Sequence, residues 1–347
     1  MTARRDRIVN LAKRTLIVLA ALVVTLTLLV ALLLHDRPQL SDIDWPPYPE
    51  FEAQPGAVTL TWLGVSTMMF DDGDTQILID GFFSRPSLAD IVFDAKVQSS
   101  AAQINYVLDA YDMRRLSAII PAHSHFDHAM DIGAIANRSS ASILGSESTA
   151  QIARGAGVPE DQIVVAAEGA EYTFGDFTVS LRNSQHAPLG WGGSVPFAGV
   201  VAEPLLLPAP VSAWREGKSY SIIVTHSQGT TIVQGSAGFI EGALDDVVAD
   251  VVMLGSWGIK SLGRDYAERY WQALVTSTGA KRIIPVHFED HSRPFGVIEL
   301  APRVLDNFVD TAVWFEELRE TWDKDAQLHL PEFGKPIILY PPPLPDA

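Results

Sequence analysis

The chain has 347 residues, contains no cysteine, and combines 47% hydrophobic residues with a formal net charge of −17 at pH 7. The lack of cysteine excludes a disulfide framework, a zinc ribbon and a cysteine nucleophile, so any metal must be bound by His, Asp or Glu. Because an acidic surface repels nucleic-acid phosphates, we expect no nucleic-acid partner.

The N-terminal region predicts a membrane anchor. Residues 1–14 are basic, and the next 20 residues, Thr15–Leu34, carry no charge and include 14 Leu, Ile or Val. At a rise of about 1.5 Å per residue, this helix matches a hydrocarbon core of about 30 Å. The basic residues before it and the acidic stretch after it predict an N-terminus inside and a domain on the extracytoplasmic side. A cleaved signal peptide and a buried core helix are the alternatives.

The composition divides the chain into four parts. A basic cytoplasmic N-terminus (1–14) precedes the transmembrane anchor (15–34), and residues 35–55, rich in Pro and acidic side chains, predict an extended linker. Residues 56–347 are enough for one large domain with a buried core.

The domain alternates short apolar runs with helical stretches. Two β-rich halves with interspersed helices predict an α/β fold arranged as a four-layer αβ/βα sandwich, although periodicity alone supports only an α/β domain. Strands are predicted at Val58–Leu63, Thr67–Phe70, Gln76–Asp80, Leu116–Pro121, Ser142–Gly145, Ile163–Ala166, Glu171–Phe174, Phe177–Asn183, Ser219–Thr225, Thr230–Gln234, Val251–Leu254 and Arg282–Val286, and helices at Ile104–Tyr111, Asp127–Asn137, Ser148–Gly155 and Tyr266–Thr276.

A cluster of ligand-type residues follows the predicted strand Leu116–Pro121. It has the form H-x-H-x-D-H and comprises His123, His125, Asp127 and His128. Neutral imidazoles and a carboxylate are suitable ligands for zinc and similar divalent ions. Side chains 123 and 125 can point the same way from an extended backbone, while 127 and 128 turn into the next helix. Residues 123 and 125 can therefore bind one metal ion, and residues 127 and 128 can bind a second.

Two further histidines and one serine are candidates for chemistry. His186 and His287 each follow a predicted strand and lie beside Pro, an arrangement that fits either a metal ligand or an ordinary loop residue. Ser227, in Thr225–Gly229, resembles the nucleophile of a G-x-S-x-G elbow. That elbow needs a helix after the serine, whereas the following residues alternate like a strand, so a hairpin turn fits better than a serine hydrolase.

Residues 58–294 resemble the metallo-β-lactamase superfamily. Beside the H-x-H-x-D-H motif, Thr61–Gly64, Ile77–Asp80 and Phe83–Arg85 resemble the branch of ascorbate-phosphate lactonases and N-acyl-phosphatidylethanolamine phospholipase D. The resemblance implies the metallo-β-lactamase fold and a hydrolase with one or two divalent ions, zinc first and Mn or Fe as alternatives. It also implies that a metal-bound hydroxide cleaves an ester-type bond. In this interpretation His123, His125 and His186 bind the first metal, and Asp127, His128 and His287 bind the second, or Asp127 serves as the proton shuttle of a one-metal enzyme.

The chain departs from the family where an Asp normally bridges two metals. Gly235-Ser236-Ala237-Gly238 replaces the G-D-x-G turn, so Ser236 supplies a neutral oxygen as an uncertain ligand. One metal, two metals with a substitute carboxylate, and a non-catalytic fold are all compatible with this change. Asp80 is the favoured substitute and a candidate catalytic residue, with Glu289 and Asp290 after it. Beside the hydrolase, a membrane-tethered metal-binding or assembly module is the main alternative.

Residues 190–217 interrupt the strand pattern with an apolar loop. Three roles are compatible with this loop: it covers the site as a lid, it contacts lipid, or it packs on the core. His291 and Arg293 are candidates for substrate contact, although exposed polar loop residues are common. The expected substrate is a small molecule or a lipid, with lactones, phosphodiesters, phospholipids and β-lactams all compatible with the site, and the oligomeric state cannot be read from the sequence.

Overall fold

The computed structural model describes residues 2–51 and 55–341, apart from the side chains of residues 2–4, 8 and 9. In chain order the strands are β1 Thr59–Trp62, β2 Met68–Asp71, β3 Gln76–Ile79, β4 Lys96–Val97, β5 Leu116–Ile120, β6 Ser142–Gly145, β7 Ile163–Val165, β8 Glu171–Phe174, β9 Phe177–Asn183, β10 Ala209–Pro210, β11 Tyr220–His226, β12 Gly229–Gln234, β13 Val251–Gly255, β14 Arg282–Val286, β15 Gln327–Leu328 and β16 Pro336–Ile338. The helices are α1 Thr2–His35, α2 Leu88–Val92, α3 Ala101–Ala110, α4 Phe126–Ala129, α5 Ile132–Ser139, α6 Glu147–Gly155, α7 Ile259–Leu262, α8 Arg264–Trp271 and α9 Phe308–Trp322.

Two seven-stranded sheets form the domain. The first has the order β16-β1-β2-β3-β5-β6-β7 and the second β15-β14-β13-β12-β11-β9-β8, while β4 and β10 form a separate two-stranded ribbon. Each sheet is mixed: an antiparallel meander occupies one half and parallel strands occupy the other. The parallel halves carry helices in their connections, as parallel strands require.

Three apolar clusters define four layers. One cluster fills the space between the sheets and includes Trp62 and Ile222. A second lies between the first sheet and its helices, with Ile143 and Ile135 among its members, and a third lies behind the second sheet, with Ile283 and Phe315. This helix–sheet–sheet–helix arrangement confirms the predicted αβ/βα sandwich.

Every predicted strand is present within one or two residues, because each combines alternating or fully apolar residues with clear turn signals. The predicted helix Asp127–Asn137 is instead two helices, α4 and α5, interrupted at Met130 and Asp131. At this interruption the Asp131 carboxylate accepts the backbone N–H groups of Phe83 and Ser84, at 2.8 and 2.6 Å. Helix α9, which closes the outer layer of the second sheet, was not predicted from the sequence.

The predicted linker, residues 35–55, contacts the domain at several of its described residues, and residues 52–54 lie outside the described part of the chain. Tyr48 donates its hydroxyl hydrogen bond to the carbonyl of Ile338 at 2.9 Å, and Trp45 packs edge-on against Phe308 with ring centroids 6.2 Å apart. The Pro-rich segment is extended, as expected. However, its aromatic side chains pack against the domain, so these residues are held on the domain surface.

Among the described residues, one helix, Arg5–His35, is long and apolar enough to cross a membrane. The side chains of its apolar window are not buried against the domain. A signal sequence passes the same test of length and composition, so the helix does not by itself establish an anchor.

Candidate metal centre

Five loops meet at one edge of the sandwich because the strands that precede them end there. In the first sheet the parallel strands β3 and β5 end at this edge, and in the second sheet β12 and β14, which run in the same direction, end there. Strand β9 ends there as well, because β9 and β12 are both antiparallel to β11. The loops after these strands carry the candidate residues, which are Asp80, the cluster His123–His128, His186, Ser236 and His287.

The first candidate trio consists of His123, His125 and His186. Each offers one ring nitrogen, and these nitrogens lie within 4.8 Å of one another. His123 Nε2 is 2.9 Å from His125 Nδ1, and the His186 ring centroid lies 4.9 and 4.8 Å from the centroids of His123 and His125. Three imidazoles that converge this closely from two separate loops form a donor set that suits a zinc-like ion.

Burial keeps the first trio neutral. Burial, together with the neighbouring His128 and His125, holds the pKa of His123 well below its usual range. Burial likewise lowers the pKa of His125 to about 3 and that of His186 to about 4. His186 Nδ1 donates its hydrogen to the carbonyl of Ala187 at 2.7 Å, which leaves the lone pair on Nε2. Neutral imidazoles with a free lone pair are the form that binds metal.

The second candidate trio is Asp127, His128 and His287, whose ligand atoms also lie within 4.8 Å of one another. Asp127 Oδ2 is 3.2 Å from His287 Nε2 and 3.6 Å from His128 Nε2. Burial alone would raise the pKa of Asp127, but His128 and His287 hold it well below its usual range. The ring centroids of His123 and His128 are only 3.9 Å apart, so the two trios are adjacent.

Asp80 lies behind His128 and does not face the space between the two trios. Its Oδ2 accepts hydrogen bonds from His128 Nδ1 at 2.8 Å and from Ser66 Oγ at 2.6 Å, and its Oδ1 accepts the backbone N–H of Ala122 at 2.8 Å. A carboxylate that holds the far nitrogen of a histidine fixes the tautomer and the ring orientation. This position differs from the metal-bridging role that was favoured for Asp80 from the sequence, because both oxygens are already occupied.

The two other substitute carboxylates also point elsewhere. Glu289 is fully buried, accepts the backbone N–H of Val65, and lies 3.6 Å from Arg85 Nη1. Asp290 forms an ion pair with Arg37 at 2.8 Å. Neither belongs to a candidate trio, so the structure offers no replacement for the missing bridging Asp among these residues.

The turn that carries Ser236 passes unusually close to both trios. A Cβ atom at Gly235 would lie 2.5 Å from the Cβ of Ala122, and one at Gly238 would lie 2.0 Å from the carbonyl oxygen of Gln185. Only glycine fits at such approaches. Ser236 Oγ accepts the backbone N–H of Ala187 at 3.1 Å and so supports the loop that carries His186.

Left-handed backbone conformations occur at three non-glycine residues around the centre. Val65, Asp80 and His287 have φ values of 51°, 58° and 53°. Such conformations cost about 1–3 kcal/mol each and persist only where surrounding contacts fix them. The carbonyl of Val65 accepts the N–H of His287 at 2.8 Å and the indole N–H of Trp62 at 2.9 Å. The strained loop after β1 therefore positions His287.

The cleft beside His186 has a volume of about 650 Å³, and Phe239, Tyr266 and Arg269 line its opposite wall. In the 190–217 loop Trp191 is 99% exposed and Val200 and Leu206 are also exposed, whereas Val211 and Trp214 are fully buried. Phe197 from this loop packs edge-on against His125 with ring centroids 6.0 Å apart. The loop therefore packs on the domain in part, and its residues Gly193 and Val195 line the cleft.

The remaining sequence candidates have different positions. His291 is enclosed beside the second trio, with its ring centroid 5.0 Å from that of Trp257 and 6.0 Å from that of His287. Arg293 instead pairs with Glu299 at 3.0 Å. Ser227 occupies a two-residue hairpin turn between β11 and β12, as the sequence favours, so the strand–turn–helix of a nucleophile elbow is not formed.

Comparisons with known proteins agree with this chemistry. Two curated relatives, both called UPF0173 metal-dependent hydrolase, come from Rhizobium etli and Roseiflexus sp.. They are 27% and 28% identical over 132 and 131 residues, which is 37% of this chain in each case. The match spans about half the length of these relatives, 47% and 48%. No family model matches the chain.

Solved structures show a similar outline. The metallo-β-lactamase fold protein YhfI from Bacillus subtilis has a TM-score of 0.49 and 15% identity, covering 81% of this chain and 98% of its own. An isothiocyanate hydrolase from Delia radicum gut bacteria has a TM-score of 0.49 and 16% identity, covering 80% and 98%. Overlap of this quality does not indicate a substrate, because one fold hosts many chemistries.

Two residues that hold the ligands in place were not predicted from the sequence. Ser66 hydrogen-bonds to Asp80 and lies 3.1 Å from His128 Nδ1, and Trp257 packs against His287 with ring centroids 6.0 Å apart. Ser66 follows soon after the family-like segment Thr61–Gly64, which was a usable signal. Nothing in the local sequence marks Trp257, since only the fold brings the loop after β13 beside the loop after β14.

Proposed function

We propose that this protein is a membrane-anchored, metal-dependent hydrolase that cleaves an ester-type bond, either a phosphodiester (including that of a phospholipid) or a lactone. The observation that carries the proposal is the convergence of six ligand-type side chains from three loops into two adjacent trios. The names of the two curated relatives support the same reaction class.

The donor set fits one or two zinc-like ions. His123, His125 and His186 would hold the first, and Asp127, His128 and His287 would hold the second. A divalent ion at such a site would lower the pKa of a bound water to about 7 and would polarise a carbonyl or phosphoryl oxygen. The neutral oxygen of Ser236 screens the repulsion between two ions less than an Asp would, which favours full occupancy of the first site and weaker occupancy of the second.

The protein's own groups orient the reaction. Asp80 keeps the Nδ1 proton on His128, and the carbonyl of Ala187 keeps the Nδ1 proton on His186, so both rings present Nε2 to the centre. Asp127 remains ionised, and it therefore accepts hydrogen bonds and binds or orients a cation or water. The cleft beside His186, with aromatic and charged side chains, is the proposed substrate entrance.

Metal analysis of the purified full-length chain in detergent tests this proposal, combined with assays on a panel of phosphodiesters and lactones. We expect about one equivalent of tightly bound zinc-like metal, loss of hydrolysis on chelation, and recovery when metal is added back. Protein that binds no metal after reconstitution would overturn the proposal. Protein that binds metal stoichiometrically but cleaves nothing in the panel would instead favour the tethered binding module that Ser236 suggests.

Membrane anchoring is the second part of the proposal. Support comes from the charge-free segment Thr15–Leu34, the basic residues before it and the helix α1. We expect the intact chain to remain with membranes after alkaline carbonate washing and to need detergent for release. A mature chain that begins after residue 34 would show a cleaved signal peptide instead, and protease protection of the domain in spheroplasts would contradict the proposed orientation.

A further inference from the structure

The end of α1 is joined to the domain by several contacts on two consecutive residues. Arg37 Nη1 forms an ion pair with Asp290 at 2.8 Å and donates a hydrogen bond to the carbonyl of Leu300 at 2.8 Å. The carbonyl of Asp36 accepts the N–H of Arg303 at 2.9 Å, and its carboxylate lies 3.5 Å from Arg303 Nε. The domain therefore meets the anchor helix directly, with no flexible spacer between them.

The length of the apolar span sets the depth of these contacts. A helix over Thr15–Leu34 fills a hydrocarbon core of about 30 Å, and the head-group layer adds about 5–8 Å on each side. Arg37 lies three positions after Leu34, so the distance between their Cα atoms is at most about 11 Å even in a fully extended chain. Residues that contact Asp36 and Arg37 must therefore lie in the head-group layer or immediately outside it.

We propose that residues 293–305 form a second membrane contact, seated in the head-group region beside the anchor, that orients the domain with its metal-binding edge toward the bilayer. The proposal rests on the membrane anchoring proposed above. It is carried by apolar side chains that this segment exposes: Val297 is 37% exposed, Val304 53% and Leu305 41%. Their burial in the boundary between head groups and acyl chains removes apolar surface from water.

The charges around the segment indicate which lipids suffice. Arg37, Arg293 and Arg303 are matched by Asp36, Asp290 and Glu299, and each arginine is paired with at least one of these carboxylates. No excess positive charge remains among these six residues to attract anionic lipid, and the whole chain carries −17. The contact is therefore apolar, and zwitterionic lipid is sufficient for it.

The contact has a consequence for the metal centre. His287 lies three residues before Asp290, so its Cα atom is at most about 11 Å from the Cα of a residue that contacts the end of the anchor. The hairpin turns at the opposite edge of the sandwich, such as the turn after His226, are then the part of the domain farthest from the membrane. The anchor thus fixes which edge of the domain meets the bilayer surface.

Site-directed fluorescence tests this orientation, and the absence of cysteine in the chain makes single labels specific. Val304→Cys in the full-length chain is labelled with an environment-sensitive fluorophore and reconstituted into phosphatidylcholine nanodiscs with or without doxyl-labelled lipid. Val248→Cys is the matched control, because Val248 is 83% exposed and precedes β13 at the opposite edge. We expect the label at 304 to shift its emission to the blue and to be quenched by doxyl lipid, and the label at 248 to do neither.

The proposed orientation would be overturned if iodide in the water quenched the label at 304 as strongly as the label at 248 and doxyl lipid did not quench the label at 304. A second variant separates contact from mere proximity. Val304→Asp with Leu305→Asp, carrying the label at Val297→Cys, should lose lipid quenching relative to V297C alone, and unchanged quenching would refute the apolar contact. Failure of anchoring is distinguishable, because the chain would then leave the nanodisc in every variant.

Discussion

Two His–Asp clusters lie at opposite edges of the same sandwich. At the edge described above, six ligand-type residues form two trios. At the other edge, hairpin turns bring Asp72, Asp176 and His226 together, and their ligand atoms also lie within 4.8 Å of one another. By residue type and proximity alone, both edges would qualify as metal sites.

The hydrogen bonds distinguish the two edges. His226 Nδ1 accepts the backbone N–H of Gln228 at 3.2 Å, so its proton is on Nε2, the nitrogen that lies 3.9 Å from Asp72. Asp72 Oδ1 is occupied by the N–H groups of Asp74 and Thr75, at 2.8 and 2.7 Å. At the metal edge the arrangement is reversed, because outer partners hold the protons of His128 and His186 and the lone pairs point inward. The hydrogen bonds on the outer side of each ligand therefore distinguish a candidate metal site from a His–Asp cluster of similar composition.

The largest effect is expected for His123→Ala. The variant removes one ligand of the first trio, so metal should be lost from that site and hydrolysis should fall by on the order of 10³-fold, since a metal contributes several kcal/mol to transition-state stabilisation. Elemental analysis and initial rates on the best substrate measure the two effects. If this variant retained all of its metal, His123 would not be a metal ligand, and the proposed difference between the two edges would be wrong.

Asp80→Asn tests the support behind the ligands. Asn preserves the size of Asp80 and tolerates its left-handed backbone, but it no longer fixes the Nδ1 proton of His128 with a charge. We expect metal affinity at the second trio to fall by roughly 10–100-fold. Competition with a chromophoric chelator reports this affinity. If Asp80 instead bridged two ions, both sites would weaken together and the first would not keep its metal.

Ser236→Asp tests the missing negative charge. A carboxylate at position 236, beside the loop that carries His186, should attract the second cation and raise its affinity by roughly tenfold, with a binding stoichiometry closer to two by titration calorimetry. Ser236→Ala is the control: it removes the hydroxyl that accepts the N–H of Ala187 without adding charge. Equal second-site affinity in the Asp and Ala variants would show that charge at this position does not limit occupancy.

The smallest effect is expected for His226→Ala at the opposite edge. Metal content and activity should match those of the unmodified chain, while loss of the hydrogen bond to Gln228 N–H should reduce stability by about 1 kcal/mol. Thermal unfolding and elemental analysis measure both quantities. Loss of metal in this variant would mean that the hydrogen-bond criterion does not separate the two edges.

Local sequence was sufficient for most of the strand and helix pattern. Strands such as Ser142–Gly145 and Phe177–Asn183 were predicted at the bounds that the structure shows, because alternation and turn residues are properties of a few consecutive positions. The helix interruption at Asp131 was not predictable in this way. The Asp131 carboxylate there accepts two backbone N–H groups from residues 83 and 84, nearly fifty positions earlier in the chain.

The candidate site shows the same division. The H-x-H-x-D-H motif marks four candidates by itself, since ligand-type residues rarely cluster so closely, whereas His186 and His287 fit either a metal ligand or an ordinary loop residue until the family resemblance is added. Asp80 is favoured from the sequence as a substitute bridging ligand, whereas in the structure its carboxylate hydrogen-bonds to His128, Ser66 and the N–H of Ala122. A strand-end carboxylate looks the same in sequence whether it points at an ion or at the far side of a histidine ring, and here it is His128 that it faces.

The sequence by itself determined the apolar N-terminal span, the strand-and-helix pattern and the motif after β5, because these depend on residues that are neighbours in the chain. Only the tertiary structure decided which loops meet, which ring nitrogen of each histidine keeps its proton, and that residues 36–51 pack on the domain. These properties depend on contacts such as Asp80–His128 and Arg37–Asp290, whose partners lie far apart in sequence and become neighbours only when the two sheets stack.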